Sequence, residues 1–160
     1  MSKSKLKRNR MQLFGPIDSS ERLHRWIKYF IGIDIPRQPV CSHHQAPFAY
    51  IRHAYFEPTK DVVVVAPRGG GKTRLAAVAT LLDLLHKPPC DVRILGGSLD
   101  QSLRMWEHLL PQLEDWAAGL LMKRVGASKK IELTIGSTAA VLTQSQRAVR
   151  GLHMHRFLVG

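Results

Sequence analysis

The residues best suited to chemistry lie in one glycine-rich stretch, "VVVVAPRGGGKTRL", which covers residues 62–75. Three consecutive glycines let backbone N–H groups approach a phosphate without a Cβ in the way. Lys72 follows and could reach the β- and γ-phosphates of a nucleotide, while the Thr73 hydroxyl could hold Mg²⁺. Ala66 stands where the phosphate-loop pattern G-x-x-x-x-G-K-[ST] has its first glycine. The remaining positions match, and they predict a site for ATP with Mg²⁺.

The flanking sequence predicts the two elements that must position such a loop. Residues 61–66 contain four consecutive valines, a pattern typical of a parallel strand covered on both faces. Residues 72–86 predict a largely buried helix whose positive N-terminal end faces the anion. Arg68 lies inside the loop, where it could stabilise charge on the γ-phosphate as arginine fingers do. The alternative is that Arg68 is an exposed loop residue.

The rest of the chain predicts strands that alternate with helices. An N-terminal helix opens with a capping box from Asp18 to Glu21 and closes at Gly32. The other predicted elements are a helix over residues 44–56, a strand over 92–96, a helix opening with a second capping box at 98–101, a hairpin over 131–143 and a strand over 156–160. This order predicts an α/β three-layer fold. We divide the chain into a disordered basic arm (1–17), an N-terminal helical segment (18–57) and an ATPase core (58–160).

The amino-acid composition gives the chain a strong positive charge. The chain has 160 residues and a net charge of +12, which favours a polyanion partner, nucleic acid before membrane. A solvated basic surface without a partner is the alternative. Five of the cations lie in the arm, at Lys3, Lys5, Lys7, Arg8 and Arg10, and this arm either touches DNA or is a solvated tail.

The cysteines and the hydropathy indicate the cellular compartment of the protein. Cys41 and Cys90 are far apart, which indicates a reducing compartment without a disulfide framework. The stretch Cys41-Ser42-His43-His44 lacks a second pair of metal ligands at matching spacing, so we interpret it as a non-metal segment. No apolar run is long enough for a membrane span and no signal-peptide core is present. These features predict a cytoplasmic protein, in the host cell if a phage or prophage encodes it.

Four stretches together resemble one family. The loop "APRGGGKT" resembles that of the large terminase subunit of tailed phages, the ATPase that packages DNA into capsids. "CSHHQAPFAYIRHAYF" (41–56) is similar to the adenine-recognising segment ahead of that loop. "RILGGSLDQSLRMWEHL" (93–109) is similar to the family's second strand and helix, and "TQSQRAVRGLHMHRFLVG" (143–160) to the stretch that leads into its Walker B strand. The resemblance covers about residues 41 to 160.

The resemblance implies a fold, ligands and partners. The fold is an incomplete P-loop NTPase (ASCE/RecA-like) three-layer sandwich with N-terminal helices. Gln45 would contact adenine, although a glutamine near a helix start also serves as a cap or surface residue. Double-stranded DNA is the implied partner, the portal and the small terminase subunit are implied partners of the complete protein, and an oligomeric ring is implied only in the assembled motor. The implied nucleotide-binding residues are Pro67, Arg68, Gly69, Gly70, Gly71, Lys72, Thr73, Arg74 and Gln45, of which Lys72 and Arg68 would act in catalysis and Thr73 would bind Mg²⁺.

One part of the catalytic machinery has no counterpart in the sequence. A motor ATPase needs an acidic pair after the Walker B strand, and no Asp or Glu follows Glu132. Asp100 sits in a capping box, which favours a structural role. We therefore expect the front part of a terminase ATPase, from a truncated gene, a split gene or an incomplete record, and expect it to hydrolyse ATP poorly or not at all. A small-molecule P-loop kinase and a non-enzymatic remnant that binds nucleotide or DNA are the alternatives.

Overall fold

The structure is a computed structural model that describes residues 15–57, 63–96, 98–117, 122–126, 129–142 and 156–159. It divides the chain into two compact units, Met1–Val62 and Val63–Gly160. Three segments with sequence predictions are affected. Residues 1–14 of the basic arm, Gly97 before the second capping box and residues 143–155 lie outside the described residues. Among the helices that the structure describes, none combines the length and apolar character that a membrane span requires.

Within the described residues, the first unit contains two α-helices. Helix α1, Ser20–Trp26, continues as a π-helical segment, Ile27–Ile31, and closes at Gly32 with φ of 72°. The predicted capping position was wrong by one residue, because Ser19 caps α1 and its hydroxyl accepts a hydrogen bond from the Arg22 N–H at 3.3 Å. Helix α2, Pro47–Phe56, begins at the proline itself, where the missing N–H costs nothing.

The apolar stripes of α1, of its π-helical continuation and of α2 form the core of the first unit. Leu23, Ile27 and Ile51 are completely buried, as their helical spacing predicts. The His24 ring meets Phe48 edge to face, with centroids 5.0 Å apart. Its Nε2 also lies 2.9 Å from the Ile35 carbonyl oxygen, which ties the segment between the helices to α1.

The described part of the second unit contains two helices and a five-stranded mixed sheet. Helices α3, Lys72–His86, and α4, Leu99–Ala117, pack against each other and both contact the first strand. The strands are β1 (Asp91–Leu95), β2 (Met122–Gly126), β3 (Lys130–Leu133), β4 (Thr138–Val141) and β5 (Arg156–Val159). Their order is β2-β3-β4-β1-β5, with β1 parallel to both β4 and β5 and with antiparallel pairing from β2 to β4.

The two faces of this sheet differ in character. Val92, Ala139 and Ile131 pair across β1, β4 and β3 and are all completely buried. On the opposite face, the Asp91 carboxylate accepts hydrogen bonds from Arg93 and Thr138. This second face is only half-buried in the residues that the structure describes. The three-layer arrangement, in which both faces are covered, therefore stays a prediction.

The valine-rich segment departs from its predicted strand. Residues 63–66 form no strand, and residues 61 and 62 lie outside the described part. Val63 and Val65 are 88% and 91% exposed. The described neighbours of β1 are β4 and β5, so the valine segment has no ladder partner among the described residues. An apolar run becomes a strand only where another strand satisfies its backbone groups.

Candidate nucleotide-binding site

The glycine-rich loop is built on a tight turn. The Gly70 N–H donates to the Pro67 carbonyl oxygen at 3.1 Å, which closes a turn over residues 67–70. A Cβ at Gly70 would stand 3.1 Å from that same oxygen, so the turn leaves little room for a side chain. Gly69 has φ of 81°, a conformation that favours glycine. The loop geometry therefore explains two of the three consecutive glycines.

The third glycine begins the helix. Gly71 is the N-cap residue of α3, with φ of 75° and ψ of 10°. Its carbonyl accepts the first helical hydrogen bond, from the Leu75 N–H at 2.9 Å. Among the described residues no side chain caps this N-terminus, so none of their oxygens competes with an external acceptor for its N–H groups. A free helix N-terminus favours an anion through these donors and through the helix dipole.

Lys72 is the first residue of α3, and its side chain folds back over the loop. Its ammonium nitrogen, Nζ, donates to the Ala66 carbonyl oxygen at 2.5 Å and to the Pro67 carbonyl oxygen at 3.0 Å. The ammonium thus lies against the carbonyls of the turn, although the residue is exposed. The same ammonium can exchange neutral carbonyl acceptors for phosphate oxygens, which bind it more strongly because they are charged.

The other predicted loop residues lie around this lysine. Arg68 and Arg74 are exposed and make no hydrogen bond or ion pair within the described residues, whereas Thr73 is half-buried one residue into α3. The structure thus brings Arg68, Lys72 and Thr73 into one continuous segment of loop and helix. Whether they hold ATP and Mg²⁺ stays a prediction. Within the described residues, no three His, Cys, Asp or Glu side chains are grouped as a metal site.

Two further sequence predictions have different outcomes. Gln45 belongs to the first unit, where it is exposed and precedes the first residue of α2 by two positions. Its contact with adenine therefore stays a prediction. The Ser98 cap is confirmed, because its hydroxyl accepts from the Gln101 N–H at 3.2 Å. Asp100 lies exposed in the first turn of α4, and its structural role stays a prediction.

The loop passes directly into a buried helix, and this helix carries one perturbed histidine. Residues 77–85 of α3 are all buried, and His86 follows as the last helical residue. Burial, together with the neighbouring positive charge of Lys87, lowers the pKa of His86 to about 4. His86 is therefore neutral at pH 7, and its site disfavours a proton. Sequence reasoning missed this perturbation, since a histidine at a helix end is ordinarily placed to be charged.

Comparisons with known proteins return nothing. No protein-family model matches the chain, and neither the curated proteins nor the solved structures yield a match. The interpretation of the site therefore depends on its own residues and their geometry.

Proposed function

We propose that this chain binds ATP with Mg²⁺ through residues 66–73 and is the ATP-binding part of a terminase large subunit, the motor that moves viral DNA into a procapsid. The observation that carries the proposal is the loop itself. A glycine turn leads into an uncapped helix N-terminus, and Lys72 folds over the carbonyls of that turn. This arrangement offers backbone donors and an ammonium to the same anion.

Each residue has a distinct role in this proposal. The N–H groups around Gly70 and Gly71 surround the phosphates, and Lys72 contacts the β- and γ-phosphates. Thr73 offers its hydroxyl to Mg²⁺, and Arg68 stabilises charge on the γ-phosphate. The net charge of +12 supports DNA as the polyanion on which the motor acts.

The decisive experiment replaces Lys72 with alanine and measures ATP binding by calorimetry in the presence of Mg²⁺. Lys72→Ala should raise the Kd by about ten- to a hundredfold, because a hydrogen bond to a charged group contributes about 1.5–3 kcal/mol. The fold should survive, since Lys72 is exposed and alanine favours a helix.

Arg104→Ala is the matched control. Arg104 is an exposed cation on α4 of the same unit, so its loss changes the net charge equally. We expect that variant to bind ATP as the wild type does. Equal affinities for the wild type and Lys72→Ala, or no binding by either, would contradict the assignment.

A further inference from the structure

A second reactive group lies in the first unit, in the turn before α2. The Cys41 thiol is free and exposed, and its Sγ lies 2.7 Å from Nδ1 of His44. The His44 N–H donates to the Cys41 carbonyl oxygen at 3.1 Å. The closed turn therefore holds the two side chains on the same side of the backbone.

The thiol and the ring nitrogen are within hydrogen-bond reach of each other. A thiol so placed can pass its proton to the imidazole nitrogen, and the thiolate is the form that attacks. His44 is exposed, and no described residue bonds its Nε2, so that nitrogen is open to water. His43, the preceding residue, is also exposed, but its ring makes no hydrogen bond to the thiol within the described residues. The structure thus distinguishes two adjacent histidines that the sequence leaves equivalent.

We propose that Cys41 and His44 form a nucleophile–base pair that is a site of reversible S-thiolation by low-molecular-weight disulfides. His44 Nδ1 accepts the thiol proton, and Cys41 Sγ attacks one sulfur of the disulfide. A new S–S bond forms as the old one breaks, and the leaving thiolate takes the electron pair and then the proton. The Cys41 sulfur is oxidised while the reagent disulfide is reduced, so the products are a mixed disulfide and one free thiol.

The test measures the rate of adduct formation by intact-protein mass spectrometry. Two reagents are used, glutathione disulfide and the uncharged bis(2-hydroxyethyl) disulfide. The wild type should form one adduct, and Cys41→Ser should form none, because Cys90 is buried. His44→Gln should slow the reaction about tenfold or more, since a positioned base contributes at least that much. His43→Gln, the matched control, should react at the wild-type rate.

Three outcomes would overturn the proposal. The first is an equal rate for the wild type and His44→Gln with the uncharged reagent, and this includes a rate loss confined to glutathione disulfide, which would show only attraction of an anion. The second is an adduct on Cys90 in Cys41→Ser. The third is a difference between the wild type and His44→Gln that persists in urea, where the two should react alike because the pair exists only in the folded turn.

Discussion

Gly71 has the backbone conformation on which the loop most depends. Its φ of 75° turns the chain from the loop into α3, and a residue with a Cβ pays about 1–2 kcal/mol to adopt this region. The sequence predicted a glycine-rich turn that leads into a helix starting at Lys72 and Thr73, because residue types at fixed spacing indicate both. It could not predict the bonds from Lys72 to the two loop carbonyls, which depend on how the turn closes.

Gly71→Ala should therefore lower both stability and ATP affinity. The expected loss of unfolding free energy is about 1–2 kcal/mol, from the strained φ, measured by urea denaturation. Gly136→Ala is the control, because Gly136 has φ of 89° in the turn between β3 and β4, far along the chain from the loop. It should destabilise by a similar amount while ATP affinity is unchanged. A loss of affinity in both variants would indicate that only general stability matters.

At the scale of elements, local signals predicted some boundaries closely. Helix α3 begins and ends at the predicted residues, Lys72 and His86, because glycine precedes it and two prolines follow. The hairpin of β3 and β4 is antiparallel as predicted, but its turn spans residues 134–137 rather than two residues. Strand β2, "MKRVG", was missed, since its charges hide any apolar alternation.

The valine-rich segment, which its local pattern wrongly predicted to be a strand, shows that such a pattern carries no information about distant partners. Four valines resemble a central strand, yet Val63 and Val65 are exposed and unpaired within the described residues. Strand formation depends on partners distant in sequence, and β1 has its partners in β4 and β5. No window of a few residues contains that information.

Helix α3 should make stability depend on pH through its last residue. The pKa of His86 falls from 6.5 to about 4 on folding, so the unfolded state binds the proton more readily. Stability should be unaffected above pH 6.5 and should decline as the pH falls from about 6.5 to about 4, by up to about 3 kcal/mol. The measurement is urea denaturation at several pH values.

His86→Gln separates this contribution from those of other groups. Glutamine stays neutral over the whole range, so its profile should be flatter than that of the wild type between pH 6.5 and 4. Both proteins should share whatever slope the carboxylates contribute at lower pH. Profiles that run parallel through this window would show that His86 is not the group responsible.

At the scale of the molecule, charge dominates the expected behaviour. The net charge of +12 exceeds what the arm alone supplies, since residues 1–10 contain five of the 24 Lys and Arg side chains. The sequence predicts a preference for a polyanion without knowledge of the fold, because charge is additive, and this preference stays a prediction. How far the two faces of the sheet are covered could not be predicted, since that depends on how distant segments meet.

Deleting residues 1–10 tests whether the arm engages DNA. The logarithm of the affinity for double-stranded DNA should fall linearly with the logarithm of salt concentration, with a slope of about 0.9 per neutralised phosphate. If all five arm cations contact phosphates, the deletion should reduce the slope by about 4 to 5. Arg104→Gln is the control for one cation removed elsewhere, and it should leave the slope nearly unchanged. An unchanged slope after the deletion would show that the arm is a solvated tail.

The position of β1 in the sheet has a consequence for synthesis on the ribosome. Its partner β5 begins at Arg156, some 60 residues after β1 ends, and translation at about 5–20 residues per second needs roughly 3–12 s to cover that distance. During this interval Val92 and Ile94, which the finished fold buries, have no complete sheet to join. The nascent chain therefore offers an apolar strand to holdase chaperones at this stage, and a slow codon between β4 and β5 would lengthen that exposure.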